Sequence, residues 1–115
     1  MRSMQMLLFL LLICVGLIAA QSNDLVDCKK HDSDVLLHTK KLERSYQLLR
    51  TQESNVVYSN PNAIITCIEV LDQRTDGTGG HPSIQSGGVG HNNVTINVRS
   101  QFSRGFEFVI NIYGH

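Results

Sequence analysis

The stretch NVTINVRSQFSRGFEFVINIYGH, residues 93–115, decides the prediction of the fold. Apolar and polar residues alternate in two runs within it, and a period of two is typical of a β-strand that buries one face. The first run is expected to bury Val94, Ile96 and Val98 and to expose Thr95, Asn97 and Arg99. The second run is expected to bury Phe106, Phe108, Ile110 and Ile112 and to expose Glu107 and Asn111.

The segment between the two runs is QFSRG, residues 101–105, and it is typical of a hairpin connection. Gly105 is expected at the tip of that hairpin. The two runs are therefore predicted to pair antiparallel, so that each buries one face in the same core.

A third run, AIITCIEVLD at residues 63–72, carries apolar residues on both faces. This pattern indicates a strand in the middle of a sheet. NVVYSN at residues 55–60 is a shorter β-prone run, and Asp76-Gly77 is a strong turn signal. The chain is therefore predicted to be all-β, folded as a small antiparallel β sandwich or a curled sheet.

The segment DVLLHTKKLERSYQLLR, residues 34–50, fits two different periods. Leu42, Tyr46 and Leu49 form a helical stripe, whereas Val35, Leu37 and Thr39 alternate as they would in a strand. One short helix near residues 40–50 is therefore an open alternative.

Three glycines crowd into GGVG at residues 87–90, and they raise the question of a ligand-binding loop. A phosphate-binding loop needs a Lys followed by Ser or Thr and then a helix, and a dinucleotide fingerprint also needs a helix. Here a strand follows instead. The glycines are predicted to be structural turn residues that supply positive φ values or close backbone approach, as is the hairpin glycine; these positions are Gly87, Gly88, Gly90 and Gly105.

The N-terminus resembles a secretory signal peptide. Arg2 precedes an uncharged apolar run, Met6–Ala20, and small residues close it. A membrane span needs about 20 apolar residues, and this run is shorter. We predict a signal peptide at 1–20, a polar N-terminal arm at 21–33 and a single β domain at 34–115, with no membrane span after signal cleavage.

Removal of the signal peptide would leave Cys28 and Cys67, an even pair in an oxidising compartment. A disulfide between them would close a loop of about 40 residues and stabilise the fold by roughly 3–4 kcal/mol. The alternative is two separate buried thiols.

Charge excludes one class of partner. The full chain has 10 basic and 10 acidic residues, so loss of Arg2 leaves one more acid than base. A chain without a basic excess is not expected to bind nucleic acid directly through phosphates.

A family resemblance is carried by SIQSGGVGHNNVTINVRSQFSRGFEFVINIYGH, residues 83–115, and by IEVLDQRTDGTGG upstream of it. These motifs resemble the insect multiprotein bridging factor 2 family of transcription activators, whose members are also called salivary secreted peptides. The resemblance is good over residues 64–115 and weaker over residues 34–63. It implies a bridging role through protein–protein contacts that does not require the protein to bind DNA.

Chemistry beyond binding finds little support in the sequence. His81 and His91 flank the glycine-rich region and could be brought together, but the chain lacks a His-x-x-x-His or Cys-x-x-Cys pair. No serine sits in a strand-to-helix elbow. We therefore expect no catalytic residue, no metal site and no cofactor, and the chain is predicted not to be an enzyme.

Asn93 opens the acceptor motif Asn93-Val94-Thr95 and is a candidate N-glycosylation site, although it could equally be an ordinary strand residue.

These observations predict a secreted, extracellular, non-enzymatic protein of the bridging factor 2 and salivary secreted peptide type. It would bind a protein or ligand in an extracellular fluid; the sequence names no partner and no oligomeric state. The alternative is a nuclear transcriptional co-activator that links a DNA-bound factor to the initiation machinery.

Overall fold

Seven antiparallel strands make up the part of the chain that the computed structural model describes, residues 21–115. The signal peptide predicted at residues 1–20 lies outside the described residues. The strands are β1 (Leu25–Cys28), β2 (Val35–Arg44), β3 (Glu53–Ser59), β4 (Ile65–Asp72), β5 (His81–Gly87), β6 (Asn93–Arg99) and β7 (Phe106–Gly114). Two sheets result, one with the order β1-β4-β7-β2 and the other with the order β3-β6-β5.

The predicted sandwich is confirmed by the burial of the two sheets against each other. Every side chain predicted to face inward on β6 and β7 is fully buried: Val94, Ile96, Val98, Phe106, Phe108, Ile110 and Ile112. Ile68 and Val70 of β4 are equally buried, and the sheet order places β4 between β1 and β7, as its apolar faces predicted. Each such side chain contributes about 1.5–3 kcal/mol by leaving water.

The predicted hairpin between the last two runs is wrong. β6 pairs with β3 and β5, whereas β7 pairs with β4 and β2, so the two strands lie in opposite sheets. Both edges of each strand are already occupied, and the connection between them passes from one sheet to the other. Gly105 is therefore not a hairpin tip; a Cβ there would overlap the carbonyl oxygen of Arg44.

The short helix considered near residues 40–50 is also wrong. β2 continues to Arg44, and residues 45–52 form the connection to β3. Of the helical stripe, only Leu42 is buried, whereas Tyr46 is 65% exposed and Leu49 is 79% exposed. Strand pairing decides the outcome because β2 meets the free edge of β7 in continuous register from His38↔Ile112 to Arg44↔Phe106.

The segment predicted as a polar arm, residues 21–33, contributes the edge strand β1. β1 pairs with β4 from Leu25↔Val70 to Cys28↔Cys67, and this last pair forms the predicted disulfide. Asn23 adds a second anchor, because its backbone N–H donates to Asp72 Oδ2 at 3.0 Å and its Nδ2 donates to the Gly80 carbonyl at 3.1 Å.

One outward-facing residue of β6 differs from expectation. Asn97 was predicted to face water, but it is only 7% exposed. β6 is the central strand of its sheet, so neighbouring side chains on β3 and β5 cover its outer face. Asn97 Nδ2 donates to Asn55 Oδ1 at 2.8 Å, which satisfies the buried amide.

The glycine loop joins the two sheets. Gly87, Gly88 and Gly90 have φ values of 68°, 108° and 89°. In this conformation the Gly90 N–H donates to the Ile65 carbonyl at 2.8 Å, and the Ile65 N–H donates to the His91 carbonyl at 2.9 Å. Ile65 begins β4 of the opposite sheet, so the loop fastens one end of the sandwich through backbone hydrogen bonds.

Substitution of these glycines should separate backbone strain from steric overlap. Gly90→Ala adds a Cβ in open space, so we expect only the left-handed backbone cost of about 1–2 kcal/mol. Gly87→Ala carries the same cost, and its Cβ also overlaps the Asn93 carbonyl group, which adds roughly 1–3 kcal/mol. Urea unfolding followed by circular dichroism measures both, and equal losses would contradict the structure.

Candidate functional site

A cleft of about 590 Å³ opens between β2 and β3, and we take it as the candidate binding site. β2 is the edge strand of the four-stranded sheet and β3 is the edge strand of the three-stranded sheet. Both edges lie on the same side of the sandwich, where the sheets separate. An edge strand presents unpaired backbone N–H and C=O groups, which can pair with another extended chain.

Side chains close the cleft at both ends and form an apolar floor. His38 stacks on Tyr58 at one end, with ring centroids 5.2 Å apart. Arg44 Nη2 donates to Ser54 Oγ at 3.1 Å at the other end. The floor contains Leu42 and Val56, which are both buried. Six residue steps separate the two ends along β2, a length of about 20 Å.

The charged residues that line the cleft are Lys40, Lys41, Glu43 and Arg44, so the lining has more basic than acidic side chains. Lys40 and Arg44 share the alternation of buried Leu42, and both line the cleft. Among residues 21–115, neither cation has a carboxylate oxygen within 4.0 Å. The cleft therefore has two cations without a carboxylate partner above an apolar floor, besides the ion pair between Lys41 and Glu43.

Lys41, which also lines the cleft, shows the contrasting arrangement at the next position of the same strand. Its Nζ lies 3.1 Å from Glu107 Oε1 and 3.6 Å from Glu43 Oε2. The hydrogen bond to Glu107, and then the negative charge of that carboxylate, raise the pKa of Lys41. This cation is compensated within the chain, whereas Lys40 and Arg44 remain available to an anionic group.

Sequence reasoning missed the cleft because no single residue of it forms a recognisable motif. The available signal was the placement of two cations on either side of Leu42, at strand spacing and on the face that a strand would bury. The cleft also depends on β2 and β3 lying at the edges of different sheets, which only the topology shows.

The structure does not bring together the two histidines singled out from the sequence. His81 begins β5 and His91 lies just before β6, so they stand at opposite ends of one hairpin, about 20 Å apart. Within residues 21–115, no group of three or more His, Cys, Asp or Glu side chains is arranged to hold a metal ion.

A buried carboxylate joins the start of β2 to the end of β7. The Asp34 side chain has no exposed surface. Its Oδ2 accepts the His31 N–H at 2.7 Å and the Thr66 hydroxyl at 2.6 Å, and its Oδ1 lies 3.1 Å from His115 Nδ1. The His31 N–H, followed by the Thr66 hydroxyl, lowers the pKa of Asp34 to about 2. These bonds hold the carboxylate in its charged form.

Asn93 is exposed at the first position of β6. Its Nδ2 donates only to the neighbouring Asn92 Oδ1, at 2.9 Å. Thr95 is two residues further along the strand and so lies on the same outer face, with part of its surface exposed. An attached glycan would therefore extend over the outer face of the three-stranded sheet and away from the cleft.

The family model described as "Transcription activator MBF2" matches residues 29–114. The chain belongs to the MBF2 family. The resemblance found in the sequence is thereby confirmed, and the matched range of this MBF2-family protein includes both strands of the cleft.

A relative of this MBF2-family protein is described as "Probable salivary secreted peptide" from Bombus ignitus. The two are 53% identical over 49 residues, which is 43% of this chain and 37% of that protein. The matched segment thus spans well under two thirds of the relative. No solved structure matches the MBF2-family chain significantly. Residues 21–115 include no helix with the length and hydrophobicity required to cross a bilayer.

Acid should reveal the contribution of Asp34 to stability. Because folding lowers its pKa to about 2 from 3.8, the stability that it provides is present above about pH 4 and is lost as the pH falls towards 2. We expect the difference in Tm between wild type and Asp34→Asn to shrink across that window. Asp32→Asn, at an exposed position nearby, is the control. A difference that stays constant from pH 6 to about pH 2 would contradict this assignment.

One intact-mass measurement tests both the glycosylation of Asn93 and the secretion of the protein. Protein collected from insect-cell medium should lack about its first 20 residues and should gain one pair of hydrogens on reduction. We expect additional hexose mass that disappears in both Asn93→Gln and Thr95→Ala and remains in Asn92→Gln. An unmodified mass for the secreted wild-type chain would exclude the glycan, and an unprocessed, reduced chain confined to cells would exclude export.

Proposed function

We propose that this MBF2-family protein is a secreted, non-enzymatic binding protein that holds an extended acidic segment of a partner protein in the cleft between β2 and β3. The single observation that carries the proposal is the pair of uncompensated cations, Lys40 and Arg44, above a buried apolar floor between two open strand edges.

The dimensions of the cleft favour an extended chain over a compact ligand. Its length of about 20 Å corresponds to roughly six residues of a β-strand. Two edge strands flank it, so an extended segment could accept and donate backbone hydrogen bonds along its length. Side chains of that segment would alternate between the apolar floor, at Leu42 and Val56, and the solvent.

Charge supplies the preference for acidic side chains. Lys40 and Arg44 lie four residues apart on one face of β2, so carboxylates spaced along an extended segment could reach both. A hydrogen bond between charged groups contributes about 1.5–3 kcal/mol, so loss of both cations should weaken binding strongly.

Three observations support an extracellular location. The N-terminal sequence has the pattern of a signal peptide. The Cys28–Cys67 disulfide is typical of oxidising compartments. The relative from Bombus ignitus carries the word "secreted" in its description. The family description favours a second function, transcriptional activation through protein contacts, and the intact-mass measurement above distinguishes these locations.

Peptide selection tests the proposed cleft. We expect a displayed random heptapeptide library, selected on the secreted wild-type protein, to enrich Asp and Glu. Fluorescence anisotropy of an enriched peptide should show at least about a tenfold loss of affinity in Lys40→Glu/Arg44→Glu, since tenfold corresponds to about 1.4 kcal/mol.

The matched control is Lys29→Glu/Arg99→Glu, which makes the same change of charge at exposed positions away from the cleft. This variant should keep the wild-type affinity. Enrichment without acidic residues, or equal losses in the two double variants, would exclude the cleft as the binding site.

A further inference from the structure

Two connections at one end of the sandwich display large apolar side chains to solvent. Residues 45–52 join β2 to β3, and residues 100–105 join β6 to β7. We define the apolar tip as the four large side chains that these connections expose by 61–79%: Tyr46, Leu48, Leu49 and Phe102. Contiguous apolar groups left in water on a small domain mark an interaction surface.

The apolar tip is held in place by hydrogen bonds between the two connections. The Leu49 N–H donates to Ser103 Oγ at 2.8 Å, and the Ser103 N–H donates to the Arg50 carbonyl at 2.8 Å. The Gln52 N–H donates to Ser100 Oγ at 2.7 Å, and the Ser100 N–H returns a bond to the Gln52 carbonyl at 2.7 Å. The exposure of these side chains is therefore built into the fold.

Backbone strain is concentrated at the same place. Leu49 and Ser103 have φ values of 60° and 61°, and within residues 21–115 they are the only non-glycine residues in the left-handed region. A leucine in this conformation costs energy that the surrounding bonds must offset, and such strain clusters at functional positions. Leu49 itself is 79% exposed.

The two connections that form the apolar tip carry only positive charges. The two connections contain Arg50 and Arg104 and no acidic residue. Arg74 and Arg104 line a hollow of about 490 Å³ together with Tyr46, Leu48 and Phe102. Guanidinium groups bind phosphate oxygens in a planar, bidentate arrangement.

From these observations we propose that the apolar tip is a docking surface for an anionic phospholipid membrane. The apolar side chains project from two separate loops, an arrangement that suits insertion into the interfacial region of a bilayer. A tyrosine ring suits the interface between headgroups and acyl chains. The arginines beside it would contact lipid phosphates and attract the negatively charged surface. This proposal uses a different surface from the cleft and does not depend on the proposed function.

Vesicle binding tests the proposal directly. Phe102→Trp introduces a unique fluorophore, because the chain has no tryptophan. Vesicles of phosphatidylserine and phosphatidylcholine should shift its emission to the blue, and brominated acyl chains should quench it. Vesicles of phosphatidylcholine alone should have a much smaller effect, and soluble glycerol phosphate should have none. The last comparison separates a bilayer from a free phosphate.

Matched variants then separate the apolar and the charged parts in co-sedimentation with the same vesicles. We expect Leu48→Ser/Leu49→Asn to reduce binding at least about tenfold; asparagine is chosen at position 49 because it tolerates a positive φ. Val57→Ser removes an equally exposed apolar residue from the outer face of β3 and should bind like wild type. Arg74→Glu/Arg104→Glu should bind weakly, whereas Lys29→Glu/Lys30→Glu, at exposed positions away from the apolar tip, should bind well.

Tm values within a few degrees of wild type would show that each variant is folded. Three results would overturn the proposal and leave the apolar tip to a protein partner: no binding to the phosphatidylserine vesicles, equal loss in Val57→Ser, or unchanged tryptophan emission from the Phe102→Trp variant. These results do not depend on peptide binding in the cleft, so the two proposals can fail separately.

Discussion

The contact between β6 and β7 across the sandwich is the interaction on which the rest of the structure depends. β7 directs four fully buried side chains towards the opposite sheet, and β6 directs three fully buried side chains towards β7. Each strand is flanked on both edges within its own sheet, so both are central and neither can be removed without exposing its neighbours. These seven side chains make up more than half of the twelve residues in the hydrophobic core cluster.

The positions of the edges follow from that central contact. With β6 and β7 at the centre, β1, β2, β3 and β5 become edge strands. The β1 edge is joined covalently to β4 by the Cys28–Cys67 disulfide. The edges of β2 and β3 face each other across the cleft, where Lys40 and Arg44 stand without a carboxylate partner among the described residues. The candidate site thus lies where the sandwich has not closed.

Local patterns in the sequence were enough to identify β3, β4, β6 and β7 and the disulfide, because each depends on spacing along one segment, whereas β1 lay in the predicted polar arm and β2 fitted two periods. The partners of the strands depend on contacts between distant segments, and there the sequence misled. A short segment between two alternating runs is usual for a hairpin, yet residues 100–105 cross from one sheet to the other. The helical spacing of Leu42 and Leu49 did not indicate a helix, because only Leu42 reaches the core. The cleft could not be predicted for the same reason: it exists only between strands of different sheets.

The two open sides of the sandwich differ in the number of polar contacts that join the sheets. On the side of β1 and β5, Asn23 reaches Gly80, and Gln101 Nε2 bonds to the carbonyls of Gly77 and Gly79 at 2.7 and 2.9 Å. Between the strands β2 and β3 themselves, one ring stack and one side-chain hydrogen bond span the gap. Direct hydrogen bonds between the sheets are therefore more numerous on the side opposite the cleft, so a ligand in the cleft would lie where the two sheets are held mainly by their buried core.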